Sequence, residues 1–197
     1  MTSMISLDPT HPIVGQHLPN ITLDLFQGNN TSKKQLSDFA GTWLVLFFYP
    51  ADFTFVCPTE LVELADRYDQ FKNLNTEIIS VSTDTVFVHK AWHDHSPTIR
   101  KITYPMAADP TGALCRLLGT YIPEEGLSLR ATYIIDPEGK IVAYEMHDNS
   151  IGRSADELIR KIQAAQYVRE HDGEVCPASW KPGDATLKPG MDLVGKI

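Results

Sequence analysis

The chain has 197 residues, 43% of them hydrophobic and 21% charged, which suffices for one globular domain with a buried core and excludes global disorder. Its formal net charge of −8 argues against a nucleic-acid partner, because phosphate binding requires clustered Lys and Arg. The sequence has no membrane-length apolar run and does not begin with the basic-then-apolar order of a secretory signal, so we expect a cytoplasmic protein without a membrane segment.

The first strong element is a strand. Residues 43–49 (WLVLFFY) form an uninterrupted apolar run that stops at Pro50, which is typical of a strand buried on both faces of a sheet. In 58–73 apolar residues recur at helical spacing, and Pro58 suits a first helical turn because proline lacks an N–H. These patterns place Cys57 at the start of a helix, just beyond the carboxyl end of a central strand.

The pattern then alternates between strands and helices. A strand is predicted at 77–83, followed by Asp84 as the N-cap of a helix that runs through His95. Farther along, two strands are joined by a turn with Pro137 at its second position and Gly139 at its fourth. Strands and helices in this order predict an α/β fold whose sheet is mixed or mainly parallel, with helices on its faces.

The C-terminal part has a different character. A capping box from Ser154 to Glu157 predicts the start of a last long helix, and regular structure is expected to fade after Gly173. The closely spaced prolines and glycines of 174–197 predict an extended arm. We therefore divide the chain into a domain of residues 1–173 and a C-terminal arm of residues 174–197.

The three cysteines, Cys57, Cys115 and Cys176, are too few and too scattered for a disulfide scaffold or a zinc site. The close pair His93 and His95 is interpreted as a solvated helix end, so no metal is expected. Cys115 is interpreted as a packed apolar side chain, because free cysteine is often buried.

Cys57 is the candidate nucleophile. The positive end of a helix favours the thiolate, which is the form of cysteine that attacks, whereas the alternative is an inert buried thiol. A disulfide exchanger of the C-x-x-C type would have its second cysteine where this chain has Glu60. Upstream, Pro50 and Thr54 complete the pattern P-x-x-x-T-x-x-C and are expected to shield the thiolate from water.

The stretch FFYPADFTFVCPTE resembles the peroxidatic motif of the peroxiredoxins, and further similar segments follow from Pro19 onward, among them HKAWHDHS, RATYIIDPEGKI and EVCPASWKPGDATL. The last of these and the terminal DLVGKI most resemble the bacterial alkyl hydroperoxide reductase C subunits. The resemblance implies a thioredoxin-like fold, a mixed central sheet flanked by helices, here with an extended C-terminal arm. It also implies a typical two-cysteine peroxidase that reduces hydrogen peroxide and organic hydroperoxides to water and alcohols in antioxidant defence.

The resemblance further implies residue roles. Cys57 attacks the peroxide and becomes a sulfenic acid, while the Thr54 hydroxyl and Arg130 stabilise the charge that develops. Cys176 is the resolving cysteine, which forms a disulfide with Cys57 of the partner subunit. Glu60 is expected to support the hydrogen bonds of the site. The implied chemistry needs no metal, flavin or haem in this chain.

The implied partners are peroxide substrates and a disulfide reductant, which is either a thioredoxin-like protein or a flavoprotein disulfide reductase. The implied assembly is a homodimer, within a decameric ring. Two other functions stay open from the sequence. One is a thiol-disulfide oxidoreductase of thioredoxin type, which Glu60 opposes, and the other is a non-enzymatic holdase or redox-signalling scaffold.

Overall fold

The apolar run predicted as a central strand lies in the middle of the sheet. In the computed structural model, which describes residues 7, 8 and 10–197, it forms Trp43–Phe48, and every side chain of this strand is buried. The strands that the structure describes are β1 (Thr22–Gln27), β2 (Asn30–Gln35), β3 (Trp43–Phe48), β4 (Thr76–Ser82), β5 (Met106–Ala108), β6 (Tyr121–Ile122), β7 (Leu127–Ser128), β8 (Arg130–Ile135) and β9 (Ile141–His147).

The main sheet is mixed. Its seven described strands lie in the order β2-β1-β5-β4-β3-β8-β9, and β6 pairs separately with β7. The pairs β3–β4 and β4–β5 are parallel, and the other neighbours in the main sheet are antiparallel. The mixed α/β sheet that the sequence predicts is therefore confirmed.

Helices connect the strands at the predicted places. The α-helices that the structure describes are α1 (Cys57–Asp66), α2 (Tyr68–Asn73), α3 (Val86–His95), α4 (Ala113–Leu117) and α5 (Ala155–Glu170), and short 3₁₀ helices span Leu36–Phe39, Ile99–Lys101 and Met191–Leu193. None of the helices in residues 7–8 and 10–197 combines the length and the apolar composition that crossing a bilayer requires.

The single helix predicted over 58–73 is in fact two. At Arg67 the backbone leaves helical geometry, with φ −114° and ψ 7°, and a second helix begins at the next residue. Tyr68 and Phe71 are both buried, and the Tyr68 hydroxyl donates a hydrogen bond to the Glu77 carboxylate at 2.7 Å. The tertiary contacts of these aromatic side chains outweigh the continuous helical period of the sequence.

The N-cap of α3 is Thr85, so the prediction of Asp84 was wrong by one residue. The Thr85 hydroxyl accepts a hydrogen bond from the Val88 N–H at 3.4 Å. The Asp84 carboxylate instead accepts from the Asp52 N–H and from the Ser82 hydroxyl, both at 2.8 Å. Both residue types are good N-caps, and because the Asp52 N–H and the Ser82 hydroxyl engage Asp84, Thr85 is the residue that caps the helix.

The side chains of β3 point alternately to two faces of the sheet. Leu44, Leu46 and Phe48 belong to an apolar cluster. The cluster also contains Cys115 and Ile141, and the exposed fraction of these two residues is 0%. The interpretation of Cys115 as a packed apolar side chain is thus confirmed.

The hairpin that follows also agrees with the sequence. β8 and β9 pair antiparallel, and the Gly139 N–H donates to the Asp136 carbonyl at 2.9 Å to close the predicted turn. Gly139 has φ +84°, a conformation that glycine adopts without steric cost.

The chain forms two compact units, the first ending at Arg153 and the second spanning Ser154–Ile197. In the second unit the Ser154 hydroxyl caps α5 by accepting from the Glu157 N–H at 3.4 Å, which confirms the Ser154 half of the predicted capping box. The Glu157 carboxylate, predicted as the other half, pairs with Arg160 at 2.7 Å. After α5 regular structure is sparse, which agrees with the predicted arm, whereas the predicted domain boundary after residue 173 stays a prediction.

Removing the α3 cap should weaken the fold measurably. We expect Thr85→Ala to lower the free energy of unfolding by about 0.5–1 kcal/mol, because the Val88 N–H loses its side-chain acceptor and keeps only the Thr85 carbonyl at 3.0 Å. Thr85→Ser keeps the hydroxyl and should stay close to wild type. Urea unfolding at one fixed protein concentration measures both variants. Equal stability of Thr85→Ala and Thr85→Ser would contradict the cap.

Candidate active site around Cys57

Cys57 lies where the central strand gives way to a helix. β3 ends at Phe48, a loop follows, and Cys57 is the first residue of α1, with Pro58 in the first turn. The side chain of Cys57 is fully buried. Its sulfur therefore lies at the positive end of the helix dipole and away from bulk water, as the sequence predicts.

Arg130 reaches this sulfur from the neighbouring strand. β8 runs antiparallel to β3, so its first residue, Arg130, lies beside the end of β3 from which the chain continues to Cys57. Its Nη1 is 3.3 Å from Cys57 Sγ and 2.7 Å from Glu60 Oε2, and its Nε donates to the Asn149 carbonyl at 2.9 Å. The guanidinium is thus held on three sides, and its position does not depend on a bound ligand.

Glu60 holds a second buried arginine, Arg153, which the sequence reasoning missed. Glu60 Oε1 accepts from the Arg153 N–H at 2.8 Å and from Nε at 2.9 Å, and Oε2 accepts from Nη2 at 3.0 Å. Arg153 Nη1 donates to the Ala131 carbonyl and the Thr132 hydroxyl of β8. Its guanidinium carbon lies 3.4 Å above the centre of the Phe47 ring.

The cluster brings positive charge to the Cys57 sulfur. Arg130 and Arg153 carry two guanidinium charges, Glu60 carries one carboxylate charge, and Arg130 is the charged group in contact with the sulfur. Burial lowers the pKa of Arg153, and the hydrogen bonds and charge of Glu60 oppose that shift. No local sequence signal marks Arg153, which precedes the cap of α5 and meets Glu60 only through the fold.

The loop before Cys57 contains the other two predicted residues. Pro50 is buried, and the half-buried Thr54 donates its hydroxyl proton to the Ala51 carbonyl at 2.9 Å. Phe53, between them, has φ +54°, a left-handed conformation that bulky residues rarely adopt. This loop is therefore strained and internally hydrogen-bonded.

All three cysteines are free thiols in this structure. Burial raises the pKa of Cys115 to about 12, with Asp109 adding to the effect. Cys176 belongs to the second unit, where it is half-buried and its Sγ lies 3.9 Å from the Ala164 carbonyl of α5. Burial raises the pKa of Cys176 as well, while the nearby Arg160 guanidinium opposes the shift.

Within residues 7–8 and 10–197, the structure shows no group of three or more His, Cys, Asp or Glu side chains that could hold a metal ion. His95 is exposed, whereas His93 is half-buried against the edge of the Phe26 ring, with 5.5 Å between ring centres. The prediction of a solvated helix end is thus right for His95 and wrong for His93.

Comparison with known proteins identifies the family of the chain. The model of the AhpC/TSA family matches residues 14–144, and the model of the C-terminal domain of 1-Cys peroxiredoxin matches residues 164–194, which include Cys176. The chain belongs to the AhpC/TSA family of peroxiredoxins. It has a thiol peroxidase, antioxidant function, as the resemblance in the sequence implied.

Curated relatives are similar over most of their length. Alkyl hydroperoxide reductase C of Salmonella typhimurium is 59% identical over 160 residues, which cover 81% of this chain and 86% of the relative. The protein of the same name from Escherichia coli is 58% identical over the same coverage.

Solved peroxiredoxin structures share the fold. AhpC of Enterococcus faecalis superposes with a TM-score of 0.82 at 45% identity, covering 85% of this chain and 100% of that one. The reduced 2-Cys peroxiredoxin of Plasmodium vivax superposes with a TM-score of 0.86 at 32% identity, covering 92% of this chain and 96% of that one. The thioredoxin-like fold expected of a peroxiredoxin is therefore confirmed.

Breaking the buried ion-pair cluster should cost much more than breaking an exposed pair. We expect Glu60→Gln to lower the free energy of unfolding by about 3–5 kcal/mol, because it leaves a buried guanidinium charge without its partner. Glu157→Gln is the matched control, since Glu157 also pairs with an arginine but has 44% of its side chain exposed. It should cost less than about 1 kcal/mol. Urea unfolding measures the free energy of unfolding of both variants. Equal losses of stability in the two variants would contradict the role given to burial.

The buried thiol of Cys115 should resist alkylation. Because its pKa is raised to about 12, Cys115 stays a neutral thiol at pH 8, and its thiolate fraction increases only as the pH approaches 12. In Cys57→Ser/Cys176→Ser, where Cys115 is the remaining thiol, we expect no reaction with iodoacetamide at pH 8 in the folded protein and full reaction in urea. Mass spectrometry measures both. Rapid labelling of the folded variant would show that the site opens to solvent.

Proposed function

We propose that Cys57 is the peroxidatic residue of this peroxiredoxin and that hydrogen peroxide and organic hydroperoxides are its substrates. The observation that carries this proposal is the Arg130 guanidinium, 3.3 Å from the buried Cys57 sulfur and fixed by Glu60. A cation held in advance beside the reacting atom stabilises the thiolate before the reaction and the oxygen charge that develops during it.

The proposed chemistry transfers one oxygen atom. The Cys57 thiolate attacks the outer oxygen of the hydroperoxide, the S–O bond forms and the O–O bond breaks. The leaving oxygen takes up a proton and departs as water or an alcohol, while Cys57 becomes a sulfenic acid. We assign Arg130 and the Thr54 hydroxyl to the two peroxide oxygens, and Pro50 to the exclusion of water from the pocket.

Cys176 is proposed as the resolving cysteine. Its thiol would condense with the Cys57 sulfenic acid of a partner subunit, which forms a disulfide and releases water. Cys176 sits on an arm with little regular structure, in which Val175 and Leu187 form an isolated bridge. Such a segment opens at low cost in free energy, which suits a cysteine that has to move.

The disulfide needs an external dithiol reductant, for which a thioredoxin-like protein and a flavoprotein disulfide reductase are the two candidates. We also propose a homodimer, assembled into a decameric ring, on the basis of the family. A thioredoxin-type exchanger is not favoured, because Glu60 occupies the position of the second cysteine and its carboxylate is engaged by two arginines. The cytoplasmic location stays a prediction from the sequence.

Replacing the peroxidatic thiol should abolish turnover. We expect Cys57→Ser to reduce peroxide consumption, assayed with dithiothreitol as reductant, to the rate without protein, because the hydroxyl of serine is not ionised at neutral pH. Cys115→Ala is the matched control, since it removes another buried thiol outside the site and should keep activity. Undiminished activity of Cys57→Ser would refute the assignment.

Removing the resolving thiol should separate the two half-reactions. In Cys176→Ser we expect one equivalent of peroxide to oxidise Cys57 to the sulfenic acid, which a dimedone probe detects by mass spectrometry. The covalent dimer seen on a non-reducing gel after peroxide treatment of wild type should be absent. The same dimer band in Cys176→Ser would contradict the proposed pairing.

A further inference from the structure

A second buried polar cluster lies beside the loop between β3 and α1, which precedes Cys57, and has no part in the proposed chemistry. Asp52 accepts a hydrogen bond from the Tyr49 hydroxyl at 2.6 Å and lies 2.8 Å from His89 Nδ1. The Asp52 N–H donates to the Asp84 carboxylate at 2.8 Å. These partners come from the end of β3, the turn after β4 and helix α3, so Asp52 ties the loop to three parts of the first unit.

His89 faces an acceptor on each side. Nδ1 lies 2.8 Å from the Asp52 carboxylate and Nε2 lies 3.2 Å from the Ala107 carbonyl of β5. The Ala107 carbonyl only accepts, so Nε2 carries a proton, and one further proton lies between Nδ1 and the Asp52 carboxylate. The side chains of Asp52 and His89 are both fully buried. The geometry therefore corresponds to a hydrogen-bonded Asp52–His89 pair inside the protein.

Neighbouring groups act on the pKa of Asp52 in both directions. Burial raises the pKa of Asp52, the Asp84 carboxylate adds to that shift, and the hydrogen bonds from His89 and Tyr49 and the charge of His89 oppose it. Asp84 is itself held by the Ser82 hydroxyl at 2.8 Å. A buried carboxylate with this many donors has one well-defined position, because each alternative leaves a polar group without a partner.

The adjacent backbone needs such an anchor. Phe53, the next residue, has φ +54°. Its side chain is 56% exposed, and its ring packs against Trp92 with 5.9 Å between the ring centres. A left-handed bulky residue persists only when its surroundings hold it. On the other side of the turn, the Thr54 hydroxyl donates to the Ala51 carbonyl, so the direction of that hydroxyl depends on the backbone that Asp52 fixes.

We propose that Asp52 and His89 are positioning residues of the peroxidase: their buried pair holds the left-handed turn at Phe53 and thereby aims the Thr54 hydroxyl. The inference rests on the proposed function, since it gives Thr54 a substrate to meet. Neither residue touches the reacting atoms in this scheme. Cys57, Arg130 and Glu60 have their own contacts and keep their arrangement when the pair is removed.

The experiment separates loop position from thiol chemistry. Asp52→Asn and His89→Gln are compared with wild type in two rate measurements, the stopped-flow oxidation of Cys57 by hydrogen peroxide and its alkylation by iodoacetamide as a function of pH. We expect the peroxide rate constant to fall by about 10- to 100-fold, as a misplaced group near a reaction centre does. The pH midpoint of the alkylation profile should stay that of wild type, because the charged groups beside the Cys57 sulfur, Arg130 and Glu60, are left in place.

Two further variants control for lost stability. Ile141→Ala empties part of the apolar core away from the loop and should lower the thermal midpoint while keeping the wild-type peroxide rate constant. Tyr49→Phe removes one donor to Asp52 and keeps the ring, so it should fold and show a smaller fall in the peroxide rate constant. A wild-type peroxide rate constant in Tyr49→Phe and in the folded fraction of the other two variants would overturn the proposal.

The pair itself is tested on the unaltered protein. Proton–nitrogen NMR of ¹⁵N-labelled wild type should show the Nε2 proton of His89 protected from exchange with solvent, and rapid exchange of that proton would overturn the proposed pair. The wild-type stopped-flow trace distinguishes failure of the proposed function from failure of the positioning role. If wild type itself does not react with peroxide, the proposed function fails, whereas a reactive wild type with unaffected variants refutes only the positioning role.

Discussion

The carboxylate of Glu60 accepts hydrogen bonds from two buried arginines, and the active site depends on this arrangement. Without this carboxylate, Arg130 would be held beside the sulfur only through the Asn149 carbonyl, and Arg153 would lose its hydrogen-bonded counter-charge. Since the same carboxylate serves both, α1, β8 and the segment that ends at Arg153 must keep one relative position. The Arg130 charge that contacts the Cys57 sulfur is thus held by the same carboxylate that holds Arg153.

The sheet explains why these groups meet. β3 carries the chain to the edge where Cys57 begins α1, and the antiparallel neighbour β8 begins at that same edge with Arg130. Both strands are buried along their whole length, so their register is fixed by packing on two faces. A rigid scaffold thus places the arginine, while the loop between strand and helix is strained and needs its own anchors, Asp52 above all.

The two proposed redox cysteines are held in contrasting ways. Cys57 lies in a cluster of charged hydrogen bonds within the first unit, whereas Cys176 lies in the second unit on an arm with little regular structure. The arm packs on α5 mainly through side chains, as where the Trp180 carbonyl accepts from Arg160 at 3.1 Å. A rigidly placed reacting thiol and a second thiol outside regular structure suit a cycle in which the first step requires precise geometry and the second requires movement.

The sequence by itself determined the features that depend on local backbone geometry. The buried strand at 43–49, the helix start at Cys57 and the turn closed by Gly139 all follow from residue periodicity and from the conformational limits of proline and glycine. The family motif supplied Arg130 as a candidate, because the resemblance extends to the segment that contains it.

Only the tertiary structure decided which distant residues meet. Arg153 pairs with Glu60 and His89 pairs with Asp52 across different elements, and neither pair leaves a periodic trace in the sequence. The break at Arg67 and the capping of α3 by Thr85 were decided in the same way, by contacts with other elements. Local patterns report the conformation of a segment, whereas the order and register of the strands determine its neighbours, and those neighbours determine the charge and the hydrogen bonds of the site.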